Sequence, residues 1–309
     1  GIQGLLDQIP ELELVAETDH CTLEPPRDSV DLTPADWLHM ARHIAEHYDN
    51  YDGFVILHGT DTMVYTAAAL SFLLEGLNKP VILTGAQLPI GEVRNDARNN
   101  LLTAVELAAC GHPQVAEVGI YFNDRLLRGN RAVKTSIFAF DAFESPNCPP
   151  LARVGTGIAY PPAPHRPPDP DRLTIHQRLG DNVALLKLAP GLSPDLLTYL
   201  IDAPIKGLVL ETFGSGNISN TPGLVQVLAE AIAQRDLLVV AITQQLRGSV
   251  NLDAYAAGRR LRDAGVVSGY DMTPHTALVK LMFLLGQDID HEARRRLLGT
   301  NLRGELTAG

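Results

Sequence analysis

The chain is 309 residues long, 45% hydrophobic and 20% charged, which is globular in composition and long enough for two hydrophobic cores. Asp and Glu outnumber Lys and Arg by 36 to 25, and the net charge of −11 argues against a nucleic-acid partner, because phosphate binding needs a basic face. No run of 18 or more apolar residues is present to span a membrane.

Residues 13–16 read as a strand. Thr33-Pro34 then opens a helix running to about His47, with Thr33 as cap and Pro34 in the first turn. Residues 54–57, FVIL, form a short apolar run of the length of a central parallel strand. The run stops at His58-Gly59-Thr60-Asp61-Thr62, and a helix-like segment, MVYTAAALSFLLEG, follows at once. Strand, polar turn and helix in that order place Thr60 and Asp61 outside the carboxyl end of a strand, where open α/β sheets present their ligands. A hydroxyl beside a carboxylate there suits covalent attack on a carbonyl or recognition of an ammonium group. Thr and Asp are equally ordinary helix N-caps, so the local pattern alone leaves both readings open.

Next come the strand PVILT at 80–84, a Gly85-Ala86-Gln87 turn, a helix over 99–109 and a strand over 118–122. Strand–helix–strand units of this length imply right-handed crossovers and a mostly parallel sheet with helices on both faces. Residues 160–172 carry six prolines in thirteen positions and read as a stiff extended linker. Strands over 183–188, 207–210 and 237–242 follow, with helices near 194–200, 224–233, 253–264 and 273–285. The expected organisation is a larger N-terminal α/β domain over 1–159, the linker, and a smaller C-terminal α/β domain over 173–309.

Cys21, Cys110 and Cys148 are odd in number and widely spaced, with no CxxC or Cys/His pair at metal-ligand spacing among them. Free thiols in a reducing, cytoplasmic compartment are the simplest reading, with no metal and no cofactor. No GxGxxG or GxxxxGK[ST] loop is present to cradle a nucleotide.

Four segments then line up: Asp28-Ser29 with Asp31, the HGTDTM turn, VILTGAQLP at 81–89, and RGNRAVK at 128–134. Together they resemble the bacterial-type asparaginases, and among these the cytoplasmic type I branch. The resemblance runs through SGYDMT near 270 to the closing NLRGELT. It implies hydrolysis of L-asparagine to L-aspartate and ammonia without a cofactor. It makes Thr60 the second of two active threonines, Asp61 the adjoining aspartate and Lys134 the lysine of a Thr-Asp-Lys set. It also gives Asp61 the substrate's ammonium group, Ser29 and the backbone around Asp28 its α-carboxylate, and Ala86 the wall of the amide pocket. A lysine held beside a carboxylate and a hydroxyl can relay a proton if burial lowers its pKa.

The resemblance carries three further expectations. The family's nucleophilic threonine sits in a TGGTI-type segment ending the first strand, and these 309 residues contain no TGG. The chain as given is therefore expected to lack the first strand, the nucleophile and the loop after it, and to be inactive. A homotetramer built as a dimer of dimers is implied, with Asp271-Met272-Thr273 and Gly214–Asn217 facing a neighbour. Some relatives are switched by a second asparagine held by an arginine and a cysteine; here Glu211 and Gln245 stand at the matching positions, so that switch is not expected. Two alternatives belong to different classes. One is a non-catalytic amino-acid-binding protein; the other is the ammonia-supplying amidohydrolase subunit of a transamidase, which the acidic balance and the length disfavour.

Overall fold

The computed structural model describes residues 4, 6–109, 115–161 and 173–308. The chain divides into two compact units, Gly1–Gln177 and Arg178–Gly309. From residue 162 onward the expected proline-rich linker lies outside the described residues, as does Cys110.

In the first unit, residues 13–16 do not form a strand. Leu12–Val15 is a short helix, α1. The alternation of ELELV suggests period two, yet Leu12 is buried while Leu14 is 86% exposed. Leu12 and Val15, spaced i, i+3 on the helix, instead pack with Ile9 just ahead of it on Leu101 and Val105. Pro34–Glu46 forms α2. The Asp36 carboxylate accepts from both the Thr33 backbone N–H and the Thr33 hydroxyl (2.8 and 2.7 Å), closing the helix start. Trp37, Met40, Ala41 and Ile44 make its buried face.

Strand β1 is Phe54–Leu57, followed by helix α3, Met63–Leu73. A two-residue strand, β2 (Leu74–Glu75), leaves that helix directly. Strand β3 (Val81–Thr84), helix α4 (Ala97–Ala108) and strand β4 (Val118–Phe122) come next. They are followed by β5 (Arg125–Arg128), β6 (Val133–Lys134), β7 (Phe143–Glu144), β8 (Ala152–Val154), β9 (Ile158–Ala159) and β10 (Thr174–Ile175). The main sheet runs β1-β3-β4-β5-β8-β9. Strands β1, β3 and β4 are parallel, and the sheet then continues antiparallel through β5, β8 and β9. All four residues of β3 and all five of β4 are buried, as required of strands covered on both faces.

The second unit holds a fully parallel four-stranded sheet in sequence order. Its strands are β11 (Val183–Lys187), β12 (Gly207–Thr212), β13 (Leu238–Thr243) and β14 (Val267–Ser268). The crossovers are α5 (Pro194–Asp202), α6 (Leu224–Arg235) and α7 (Ala256–Asp263), and α8 (Pro274–Gly286) and α9 (His291–Leu298) close the unit. Leu208, Leu210, Val239 and Ala241 of the sheet share a core with Leu197, Leu228 and Leu261 of the crossovers.

One ionic contact in this unit stands apart. Lys280 and Glu305 are both fully buried, with Nζ 2.5 Å from Oε1. The Lys280 ammonium also donates to the Thr300 carbonyl (2.5 Å), and the Glu305 carboxylate accepts from the Leu302 and Arg303 backbone N–H groups. The pair is thereby multiply satisfied, which is what a buried ion pair needs. Asp271 accepts from the Thr307 backbone (2.7 Å), and Thr273 caps α8 through Thr276. Among the described residues no helix is long and apolar enough to cross a membrane.

Candidate active site

The site begins where β1 ends. The His58 backbone N–H donates to the Thr84 carbonyl (2.9 Å), so the turns after β1 and β3 lie side by side. A Cβ at Gly85 would stand 2.3 Å from the His58 carbonyl oxygen, so no other residue lets these turns approach so closely. A Cβ at Gly59 would likewise meet the Ser29 hydroxyl at 2.6 Å. The Thr62 hydroxyl donates to the Ser29 carbonyl (2.7 Å), fastening the segment around Asp28 to the same turn. Three segments far apart in sequence thus meet at the carboxyl ends of two parallel strands.

The fourth arrives on β6. Pairing with β7 sets Lys134 opposite Phe143, whose buried ring packs on Phe122. From there the Lys134 ammonium donates to Thr60 Oγ1 at 2.8 Å and to Asp61 Oδ1 at 2.7 Å. The Thr60 hydroxyl in turn donates to Gln87 Oε1 (3.3 Å), while Gln87 Nε2 donates to the Ala139 carbonyl (3.1 Å). The Thr60 oxygen therefore takes one hydrogen bond from lysine and gives its own proton towards the turn that carries Ala86.

The Lys134 side chain is 14% exposed and that of Asp61 64%. An ion pair with one partner so open to water contributes less than about 1 kcal/mol to stability. Its geometry is therefore not explained by fold stability. Asp28 behaves differently from the other candidates. It is exposed, and its carboxylate caps the short helical turn at Ser29–Asp31 by accepting from the Val30 N–H (3.2 Å). Ser29, by contrast, is buried against Gly59.

Two supports were not legible in the sequence. Asp96 precedes α4 but does not cap it; its carboxylate accepts from the Gln87 and Leu88 backbone N–H groups at 2.9–3.0 Å. Asn100, one turn on, donates to the Gly85 carbonyl (2.9 Å) and accepts from the Asn123 N–H (3.1 Å). The sequence pattern starts this helix at 99 and carries no signal for either contact. The second support lies behind Thr60. Trp37 Nε1–H, a donor only, gives to the Thr66 hydroxyl (3.0 Å), and His58 Nδ1 meets the Gly59 carbonyl (2.6 Å), an acceptor only. His58 therefore carries its proton on Nδ1, and its Nε2 accepts from Thr66 (2.8 Å). Burial pushes the His58 pKa down, consistent with a neutral ring.

Fold and site together define an α/β protein in which a hydroxyl, an ammonium and a carboxylate gather at the carboxyl ends of parallel strands. Residues 1–165 match the N-terminal asparaginase family model and residues 182–298 the glutaminase/asparaginase C-terminal domain. L-asparaginase 1 of Escherichia coli strain K12 is 47% identical over 311 residues, an alignment covering 99% of this chain and 90% of that protein. Among solved structures, L-asparaginase I of Vibrio cholerae superposes with a TM-score of 0.92 at 41% identity, over 99% of this chain and 92% of that one. The thermostable L-asparaginase of Thermococcus kodakarensis does so with a TM-score of 0.87 at 37% identity, over 98% and 92%. The chain belongs to the asparaginase family.

Proposed function

We propose that this protein is a cytoplasmic L-asparaginase, hydrolysing L-asparagine to L-aspartate and ammonia through Thr60, Asp61 and Lys134. The observation that carries the reading is the single ammonium of Lys134 shared between Thr60 Oγ1 and Asp61 Oδ1. A side-chain amide is cleaved by attack of an activated hydroxyl, with the proton passed on to the departing ammonia. On this reading Lys134 holds or relays that proton through Thr60, and Asp61, partly open to solvent, faces the substrate's ammonium group as a charge-assisted acceptor. Ser29 and the backbone around Asp28 receive the α-carboxylate, and Ala86 lines the amide pocket. No cofactor is required.

The attacking threonine is assigned to a TGGTI-type segment, which these 309 residues do not contain. They are accordingly expected to release little or no ammonia from asparagine by themselves. In a protein carrying that segment ahead of Gly1, Thr60→Ala and Lys134→Met each lower turnover on the order of 10³-fold or more, as for other cooperating nucleophilic sets. Ammonia release is the assay, and near-normal turnover in both variants overturns the assignment. Because the exposed ion pair adds little to stability, the thermal midpoint should stay close to that of the parent. The proposed assembly is a homotetramer, a dimer of dimers. The exposure of Ile137 and Phe138, at 90% and 94%, supports it as apolar surface for a neighbour to cover. Sedimentation at micromolar concentration checks this, and a stable monomer counts against it.

A further inference from the structure

We propose that the carboxyl end of α2 is a binding site for a divalent transition-metal ion of zinc-like softness, held by His43, Glu46, His47 and Cys21. His43 and His47 are four residues apart and so share one face of the helix, their ring centroids 4.5 Å apart. One donor atom from each of His43, Glu46 and His47 lies within 4.8 Å of the others. The edge of a tetrahedron built from zinc–ligand bonds of 2.0–2.3 Å is about 3.3–3.8 Å. Drawing the three donors together is thus a matter of side-chain rotation.

Two independent contacts point to a ligand here. His47 Nδ1 meets the His43 carbonyl at 3.0 Å, and since a carbonyl only accepts, that nitrogen carries the proton. The Nε2 lone pair is left free to bind, and the hydrogen bond to a backbone carbonyl is the outer support that metal-ligating histidines commonly have. Cys21, from the extended segment before α2, lies with Sγ 3.0 Å from His43 Nε2 and is a free thiol. It lies outside the cluster of three mutually close donors and touches it through His43; drawn in, it is the fourth donor of an N₂OS set suited to zinc or cobalt. The position favours a cation as well, because the helix ends at Glu46 and its terminal carbonyls carry partial negative charge. The sequence-based expectation of no metal set rested on cysteine spacing and on taking the ten histidines as scattered, and so passed over His43-Ile44-Ala45-Glu46-His47.

This site lies apart from Thr60, Asp61 and Lys134 in sequence and uses none of their atoms, so its failure leaves the asparaginase reading intact. The test is a Co²⁺ titration of the reduced 309-residue chain, followed by absorbance, with Zn²⁺ as competitor. The expected result is one saturable equivalent, a thiolate-to-cobalt charge-transfer band, and displacement of cobalt by one equivalent of zinc. Losing even an outer-shell partner costs about 10–100-fold in metal affinity, so His43→Asn, His47→Asn and the exposed Glu46→Gln should each weaken binding at least about tenfold. Cys21→Ser should abolish the band. Absence of saturable binding overturns the proposal, as does affinity unchanged in both histidine variants. A wild-type spectrum without the charge-transfer band overturns the four-donor site.

Discussion

Lys134 sets one ammonium group between two acceptors, and what surrounds it decides what it can do. Gln87 is pinned on one side by Ala139 and on the other by Asp96, so the direction of the Thr60 proton is fixed by groups that never touch the lysine. Histidines elsewhere set the pH response. Burial pushes the His275 pKa down to about 4, whereas an unfolded chain returns it to about 6.5. Below pH 6.5 the unfolded state binds a proton that the folded state refuses, so stability falls as pH drops from 6.5 towards 4. The loss over that window is on the order of 3 kcal/mol, and urea midpoints at pH 7 and pH 4.5 should show a smaller drop for His275→Asn. Lys280 offers a sharper case. Removing its charge alone leaves Glu305 buried and uncompensated, so Lys280→Met should cost about 3–5 kcal/mol by chemical denaturation. Lys280→Met combined with Glu305→Leu should cost less than the two single changes added together.

At the scale of elements, the turns proved more legible than the short segments. FVIL before HGTDT, and VILT before GAQ, are read correctly because continuous apolar runs ended by small polar residues have few alternatives. The four residues at Leu12–Val15 misled because strand alternation and a helical i, i+3 stripe overlap at that length. Strand β14 has only two residues and no pattern to find. The sheet's antiparallel half was equally hidden, since β5, β8 and β9 are two to four residues long and their pairing is set by tertiary contact. No spacing rule says that Asp96 and Asn100, at and just inside the start of α4, hold a distant loop. Strand β12 carries another consequence. Glu211 lies within the strand, buried, between Lys187 and Ile242; the family resemblance expects an arginine at this position in relatives that clamp an effector's carboxylate. A catalytically competent form should therefore show hyperbolic dependence of rate on asparagine; a sigmoidal curve from a homogeneous sample contradicts this.

At the scale of the whole molecule, the two units differ in how they are closed. The first brings four separated sequence segments to one polar cluster and leaves apolar side chains exposed just beyond it, at Ile137 and Phe138. The second is a regular parallel sheet whose last residues return to its interior. Residues 300–307 form no helix or strand, yet Glu305 and Leu306 are among the most buried positions of the chain. That stretch works as a plug, and the second unit cannot spare it. A newly made chain cannot satisfy Lys280 until residue 305 has left the ribosome, because the partner of that ammonium lies 25 positions downstream. The second unit therefore completes its core only once residues 300–307 have been made, and loss of that stretch removes the acceptors that hold the Lys280 ammonium in the interior.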